Sequence, residues 1–260
     1  MKSSYPLRVD EKIIIITGGY GHLGSAITKS LLDHGAHVVI AGRSKKKFLD
    51  VFIKEDKNLT FFEIDIASTT SIQKVFSEVY LKYGAIDILI NNAVYLSGQS
   101  PEKMTDKEWE TGIDGTLNST FRCIREIIPI FKQLGKGKII NVSSMYGIVA
   151  PDFAVYDESP EFLNPPHYGA AKAGLIQITK YYASYLAKYN ILVNAVTPGP
   201  FPSIEIQQNT GFIERLAGKT LVGRIGQPED VAGVFTFLSS NAADYITGQN
   251  FIIDGGWTVR

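Results

Sequence analysis

The 260-residue chain carries 26 basic and 26 acidic side chains, 45% apolar residues and a single cysteine. Balanced charge gives no electrostatic footprint for nucleic acid or an anionic membrane, and no apolar run approaches the ~20 residues a bilayer span needs. Residues 1–12 lack the apolar core of a signal peptide, and Cys123 alone cannot form an internal disulfide, so a reducing, cytoplasmic compartment is expected.

Short β-branched runs alternate with longer amphipathic stretches along the whole chain. Strands are predicted at 12–17, 37–41, 60–64, 87–90, 138–142, 191–196 and 250–253. Several are apolar at nearly every position, the pattern of strands covered on both faces in a parallel sheet. Helical stretches such as 23–34, 69–83 and 168–189 are long enough for right-handed crossovers. Uninterrupted alternation implies one α/β domain over 1–260, doubly wound about a parallel sheet of about seven strands. Two segments break the rhythm, 150–167 with Pro151, Pro160, Pro165 and Pro166, and 198–220. Both start just past a strand's carboxyl end, where such folds place ligands. They are read as the walls of a substrate pocket, the first an extended active-site loop and the second a lid.

The first strand runs into Thr17-Gly18-Gly19-Tyr20-Gly21-His22-Leu23-Gly24 and then a helix. Glycines permit the tight turn and close backbone approach to a pyrophosphate, which the amides and dipole of the helix N-terminus attract. A dinucleotide cradle including Gly18, Tyr20, His22 and Leu23 is expected. At the end of the second strand a carboxylate would accept from the ribose 2′-hydroxyl of NAD. This chain instead reads Gly42-Arg43-Ser44-Lys45-Lys46-Lys47. Arg43 offers a planar fork suited to a 2′-phosphate, Ser44 and Lys45 offer further donors, and Lys46 and Lys47 read as a solvated helix start. NADP is therefore expected over NAD. After the third strand, Asp65 either accepts from the adenine amino group or caps the next segment, with Ile66 beside it. Asn91-Asn92-Ala93 follows the fourth strand. The small Ala93, with Asn92, would let the adenosine lie close, and Asn91 reads as a structural brace.

Tyr168-Gly169-Ala170-Ala171-Lys172 places Tyr168 and Lys172 four apart on one helical face. Neither titrates usefully near pH 7 unaided. A neighbouring ammonium favours the phenolate and lowers a tyrosine's pKa, which would make Tyr168 a general acid or base. Ser143-Ser144 ends the fifth strand and can supply a hydroxyl that orients a carbonyl oxygen. The chain's four histidines, His22, His34, His37 and His167, show no metal-ligand spacing, so no metal site is expected.

Taken together, the ordered set Thr17-Gly18…Gly24, Asn91-Asn92-Ala93, Ser143-Ser144, Tyr168…Lys172, Pro198-Gly199 and Asp254-Gly255-Gly256-Trp257 resembles the short-chain dehydrogenases/reductases, over roughly residues 12–258. The resemblance implies a Rossmann-type fold and an NAD(P)-dependent oxidoreductase. It implies that Ser144 orients the substrate, Tyr168 donates the proton, and Lys172 lowers the Tyr168 pKa and binds the ribose. Pro198 and Gly199 would lie beside the nicotinamide, with Ser203 in place of a common cofactor-contacting threonine. The stretches 223–230 and 239–248 are shared with members that form tetramers, so a homotetramer is expected; the apolar run 231–238 points the same way.

The sequence departs from the family pattern at three places. His22 replaces the usual middle glycine of the turn and is read as solvated or structural. Thr116, in Gly115-Thr116-Leu117, stands where members often carry an asparagine that holds a proton-relaying water; Asn118 would face elsewhere on a helix. The segment between Ser144 and Tyr168 is longer than usual, and its extra part holds Asp152, Asp157, Glu158 and Glu161 with no Lys or Arg. Carboxylates and aromatic faces together suit polyhydroxylated rings, and the loop is similar to a subset associated with bacterial sugar and nonulosonate pathways. The expected activity is hydride transfer between nicotinamide and a carbonyl or secondary alcohol on a small sugar-like molecule. The alternatives are 3-oxoacyl thioester reduction and a non-catalytic nucleotide-sensing protein.

Overall fold

In the computed structural model, which describes residues 7–259, β1 (Ile13–Thr17) is buried at every position. It pairs in parallel with β2 (His37–Gly42) on one side and β4 (Ile88–Asn91) on the other. The sheet continues outward from β2 to β3 (Leu59–Glu63) and from β4 to β5 (Gly137–Val142), β6 (Ile191–Pro198) and β7 (Asn250–Ile253). Its order is β3-β2-β1-β4-β5-β6-β7, and every pairing is parallel. The fold is the expected doubly wound α/β domain, with strand ends displaced by at most two residues from the sequence reading. Lys12, assigned to the first strand, lies outside it, because its amide is turned back to the Val9 carbonyl (3.1 Å); its ammonium reaches the Ser239 carbonyl (3.1 Å) and the Asn241 side chain (2.8 Å).

Alternate residues of each strand feed two separate cores. Ile14 and Ile16 pack with Ile27 and Leu31 of α1 (His22–Asp33) and with Val231 and Phe235 of α8 (Pro228–Ser239). Ile13 and Ile15 face the other side, where α3 (Thr69–Tyr83), α5 (Ser119–Leu134) and α6 (Pro166–Leu186) lie. With both faces covered, no strand position can be polar without cost, and each fully buried Ile contributes about 1.5–3 kcal/mol. The apolar residues of the 231–238 run are largely used up in this way. Val231, Phe235 and Leu238 are buried against the chain's own sheet, so they do not supply the oligomer surface expected of them.

A third, smaller core sits above the carboxyl ends of the strands. Met145, Tyr146, Val155 and Tyr156 pack there against Phe212 and Leu216 of α7 (Thr210–Lys219) and against Ile225 and Trp257. Strand order reverses between β1 and β4, so the loops after these two strands diverge to opposite sides and leave a crevice between them. No helix among the described residues is long and apolar enough to cross a membrane.

Candidate active site

The crevice is a cavity of about 710 Å³ running across the carboxyl ends of the sheet. Its floor is the turn after β1. Gly18 sits at φ 65°, a left-handed conformation that glycine adopts without strain, and a Cβ on Gly24 would run into the Gly18 carbonyl. Thr17 and Asn92 lock this turn to the loop after β4. The Thr17 hydroxyl accepts from the Asn92 and Ala93 amides at 3.0 Å, and Asn92 Nδ2 donates to the carbonyls of Thr17 (2.9 Å) and Gly18 (3.1 Å). Asn91 is the brace expected of it, donating to Asn141 Oδ1 at 2.8 Å between β4 and β5.

At the far end of the cavity, Tyr20 packs under Gly42, where any side chain would meet its ring, and its hydroxyl accepts from the Ser44 amide at 3.2 Å. Ser44 caps α2 (Lys45–Val51) by accepting from the Lys47 amide at 3.2 Å. Arg43 lines the cavity, is exposed, and has no hydrogen bond or ion pair among the described residues. Lys47, read from sequence as solvated, lines the cavity beside it, whereas Lys45 does not; Lys46 pairs with Asp50 at 2.9 Å. The phase of the helix started by Ser44 is the signal that separates these three lysines. Asp65 does not line the cavity. Its Oδ1 accepts from the Ala67 amide at 3.0 Å, and the cap of α3 is Ser68. Ile66 does line it. His22 lines it too; its Nε2 is buried with no hydrogen-bond partner among the described residues, and burial pushes its pKa down.

At the opposite end, Ser144, Tyr168, Lys172, Pro198 and Gly199 meet on the cavity wall. Tyr168 lies in the first turn of α6, which Pro166 opens, two residues before the sequence reading placed it. Lys172 is 4% exposed; its Nζ donates to the Val142 carbonyl at 2.6 Å and lies 5.5 Å from the centre of the Tyr168 ring. Burial pushes Lys172 down to about 7. Tyr168 differs from the expectation that the neighbouring ammonium lowers it. Burial pushes its hydroxyl up, and the opposing influence is a hydrogen bond from Ser144. The ammonium sits over the ring rather than against the oxygen, which is why burial prevails. Ser143 is structural, donating to the Lys172 carbonyl at 2.8 Å.

Ser203 lies outside the large cavity and lines a smaller one of about 220 Å³ that opens beside it. The two share Ser144, Tyr168, Gly199 and Phe201. Segment 150–167 does border this small cavity, through Tyr156, Phe162 and Asn164, as does α7. None of its acids does. Asp152 pairs with Lys219 at 2.5 Å and Glu158 with Arg215 at 2.8 Å, so two of the carboxylates are spent on holding the loop to α7, and Asp157 and Glu161 are exposed. Carboxylate contacts to a sugar ring, inferred from the loop's composition, are therefore not available.

Comparison with known proteins decides the family. A family model described as enoyl-(acyl carrier protein) reductase matches residues 21–258. The chain belongs to the short-chain dehydrogenase/reductase family. A 3-oxoacyl-(acyl-carrier-protein) reductase of Thermotoga maritima is 34% identical to this short-chain dehydrogenase/reductase over 263 residues, 97% of this chain and 100% of the relative. A solved short-chain dehydrogenase of Leptospira borgpetersenii with bound NAD+ superposes with a TM-score of 0.88 at 32% identity, covering 99% of this chain and 97% of that one. A gluconate 5-dehydrogenase of Burkholderia cenocepacia, solved with NADP and tartrate, gives 0.87 at 27% identity and covers 98% of each chain. As a short-chain dehydrogenase/reductase the protein is an enzyme, an NAD(P)-dependent oxidoreductase acting on a small molecule, which sets aside the non-catalytic alternative.

Proposed function

We propose that the enzyme uses NADP(H) to interconvert a ketone and a secondary alcohol on a small, polyhydroxylated, sugar-like molecule. The observation that carries this reading is the wall shared by the two cavities. Ser144 and Tyr168 stand where a molecule in the 220 Å³ cavity meets whatever fills the 710 Å³ cavity.

The large cavity fits a dinucleotide. Its floor is lined by Gly18, Gly21 and Gly24, which bring bare backbone to the cavity, and at the other end the unpaired Arg43, with Lys47, suits a 2′-phosphate. Gly18, Tyr20, His22 and Leu23 would hold the pyrophosphate end, Ile66, Asn92 and Ala93 the adenosine, and Pro198, Gly199 and Lys172 the nicotinamide riboside, with Ser203 nearby. The bound cofactor supplies or takes the hydride. The chain's own groups manage the oxygen. Ser144 holds the carbonyl oxygen by its hydroxyl, Tyr168 gives its proton to that oxygen in reduction and takes it back in oxidation, and Lys172 replenishes the proton near neutral pH.

A 3-oxoacyl thioester is the second reading, supported by the 34% identical Thermotoga maritima relative, a 3-oxoacyl-(acyl-carrier-protein) reductase. Against it stands the closure of the small cavity by segment 150–164 and α7, which leaves less room than the ~300–1,000 Å³ of drug-sized ligand sites. A homotetramer is proposed on the family resemblance, with Phe121, Tyr181 and Tyr185 as the apolar groups left exposed on α5 and α6. A reducing compartment suits Cys123, whose thiol burial pushes up to about 12.

Turnover of ring ketones, keto sugars and 3-oxoacyl thioesters, each with NADPH and NADH, tests the proposal. Reduction of the hydroxylated ring substrates with NADPH is expected, and Tyr168→Phe should lose at least ~100-fold in turnover with unchanged NADPH affinity. Turnover confined to thioesters selects the second reading, and full activity in Tyr168→Phe removes the assigned chemistry.

A further inference from the structure

The small cavity has one feature that its size alone does not explain. Tyr146 and Tyr156 are both buried, and their hydroxyl oxygens lie 2.5 Å apart. Asn164 Nδ2 donates to the Tyr156 oxygen at 3.1 Å. Two hydroxyls carry two protons, and only one can lie in the bond between them. If Tyr156 donates to Tyr146, the Tyr146 proton is left over; if Tyr146 donates, the Tyr156 proton is. Either way, one O–H has no acceptor among the described residues. Burial pushes both phenols up, so each keeps its proton across the neutral range.

The same cluster leaves one acceptor open. Asn164 Oδ1 has no hydrogen-bond partner among the described residues, although the Asn164 amide nitrogen is engaged. A free donor and a free acceptor side by side complement a hydroxyl group, which both gives and takes a hydrogen bond. No charged side chain among the described residues lines the cavity, and the rings of Phe162 and Phe212, with centroids 4.8 Å apart, form an apolar wall. An anionic or cationic substrate would enter without a counter-charge, at high desolvation cost.

We infer that Tyr146, Tyr156 and Asn164 form a hydroxyl-recognition subsite, and that the substrate is a small, uncharged ring ketone or secondary alcohol bearing a hydroxyl near the reacting carbon. The inference rests on the proposed ketone–alcohol chemistry at Ser144 and Tyr168 and adds to it the group that selects the substrate. The aromatic wall takes the C–H face of the ring, and the subsite takes its hydroxyl. A ring lacking that hydroxyl leaves a buried O–H unpaired, which is where discrimination arises.

The test compares 2-hydroxycyclohexanone with cyclohexanone in NADPH-dependent reduction by wild type and by the Tyr146→Phe/Tyr156→Phe double variant, which keeps both rings. Wild type should favour the hydroxylated ketone at least tenfold in kcat/KM. The double variant should bring that ratio toward one through a rise in KM for the hydroxylated substrate. Calorimetric binding of both ketones to the NADP-saturated Tyr168→Phe protein, with and without the two further Phe substitutions, gives a readout independent of turnover. Equal wild-type preference for the two ketones, or a preference that survives the double substitution, overturns the subsite and leaves the ketone–alcohol reading standing. Binding that discriminates as expected in a protein that reduces neither ketone retains the subsite and overturns that reading.

Discussion

Lys172 Nζ lies 5.5 Å from the centre of the Tyr168 ring, one turn further along α6, and donates at 2.6 Å to the Val142 carbonyl at the end of β5. The chain therefore holds the amine inside its core, and burial pushes its pKa down from 10.5 to about 7. The unfolded chain keeps the Lys172 proton up to its ordinary value of 10.5, whereas the folded chain releases it near 7. Between these values the unfolded state binds more protons, so this residue's penalty on folding shrinks as pH rises and is complete at and below about pH 7. A fall from 10.5 to about 7 corresponds to on the order of 5 kcal/mol. Lys172→Met should accordingly be more stable than wild type in urea unfolding at pH 6–7, with the two converging near pH 11. A variant that is less stable at pH 6 would show the ammonium to be compensated by contacts beyond Val142. Loss of activity in the same variant would be a stability–function trade-off at one position.

The proposed preference for NADP(H) rests on Arg43 and Lys47. A charge-assisted pair with a 2′-phosphate contributes about 1.5–3 kcal/mol, so Arg43→Ala should weaken NADPH binding roughly 10- to 150-fold and leave NADH nearly unaffected. Fluorescence titration with both dinucleotides reads this directly. Lys47→Ala should produce a smaller loss of the same kind, because Lys47 is a point charge without the fork of Arg43. Equal wild-type affinities for the two dinucleotides would refute the preference.

The exposed ring surface of α5 and α6 bears on assembly. Tyr181 and Tyr185 stack at 6.2 Å on the outer face of α6, 63% and 48% exposed, and Phe121 is 41% exposed on α5. Light scattering at micromolar concentration should give a tetramer's mass, and Tyr181→Glu/Tyr185→Glu should reduce it without lowering the stability of the isolated fold. A wild-type monomer would contradict the tetramer.

Legibility in the sequence followed the range of the interactions. Ile13, Ile14, Ile15 and Ile16 are all buried because β1 is covered on both faces, and a run of four isoleucines says so within a few residues. Tyr168 and Lys172 were readable because α-helical spacing alone puts them on one face. The hydroxyl subsite was not, because Tyr146, Tyr156 and Asn164 meet only through the path of a loop that has no periodicity. Nor did composition reveal which way the loop's acids point. Arg215 lies 57 residues from Glu158 in the chain, and only the packing of α7 shows that the carboxylate is turned away from the pocket. The same holds for the run 231–238, whose apolar content fits a subunit interface and an internal core equally well until Phe235 is found fully buried.

Thr116 offers the sharpest test of the proton path. It lies in a π-helical turn, Asp114–Asn118, between α4 (Asp106–Ile113) and α5, a distortion common at functional sites. Asn118 is turned outward and donates to Asp114 at 3.1 Å, so it does not replace the asparagine that the family resemblance places at 116. The Thr116 carbonyl already accepts from the Thr120 hydroxyl at 2.9 Å, but the Thr116 hydroxyl is buried with no hydrogen-bond partner among the described residues. An orphaned buried hydroxyl costs about 1–3 kcal/mol unless a water satisfies it. A water held there, relaying protons toward Lys172, predicts that Thr116→Val loses turnover at least tenfold and shifts the pH–rate profile while gaining no stability. Thr116→Asn, with a longer side chain and a stronger acceptor, should raise turnover without altering the KM for substrate. A Thr116→Val protein that is more stable by about 1 kcal/mol and fully active would mean that the hydroxyl is simply buried, and that protons reach Tyr168 by another route.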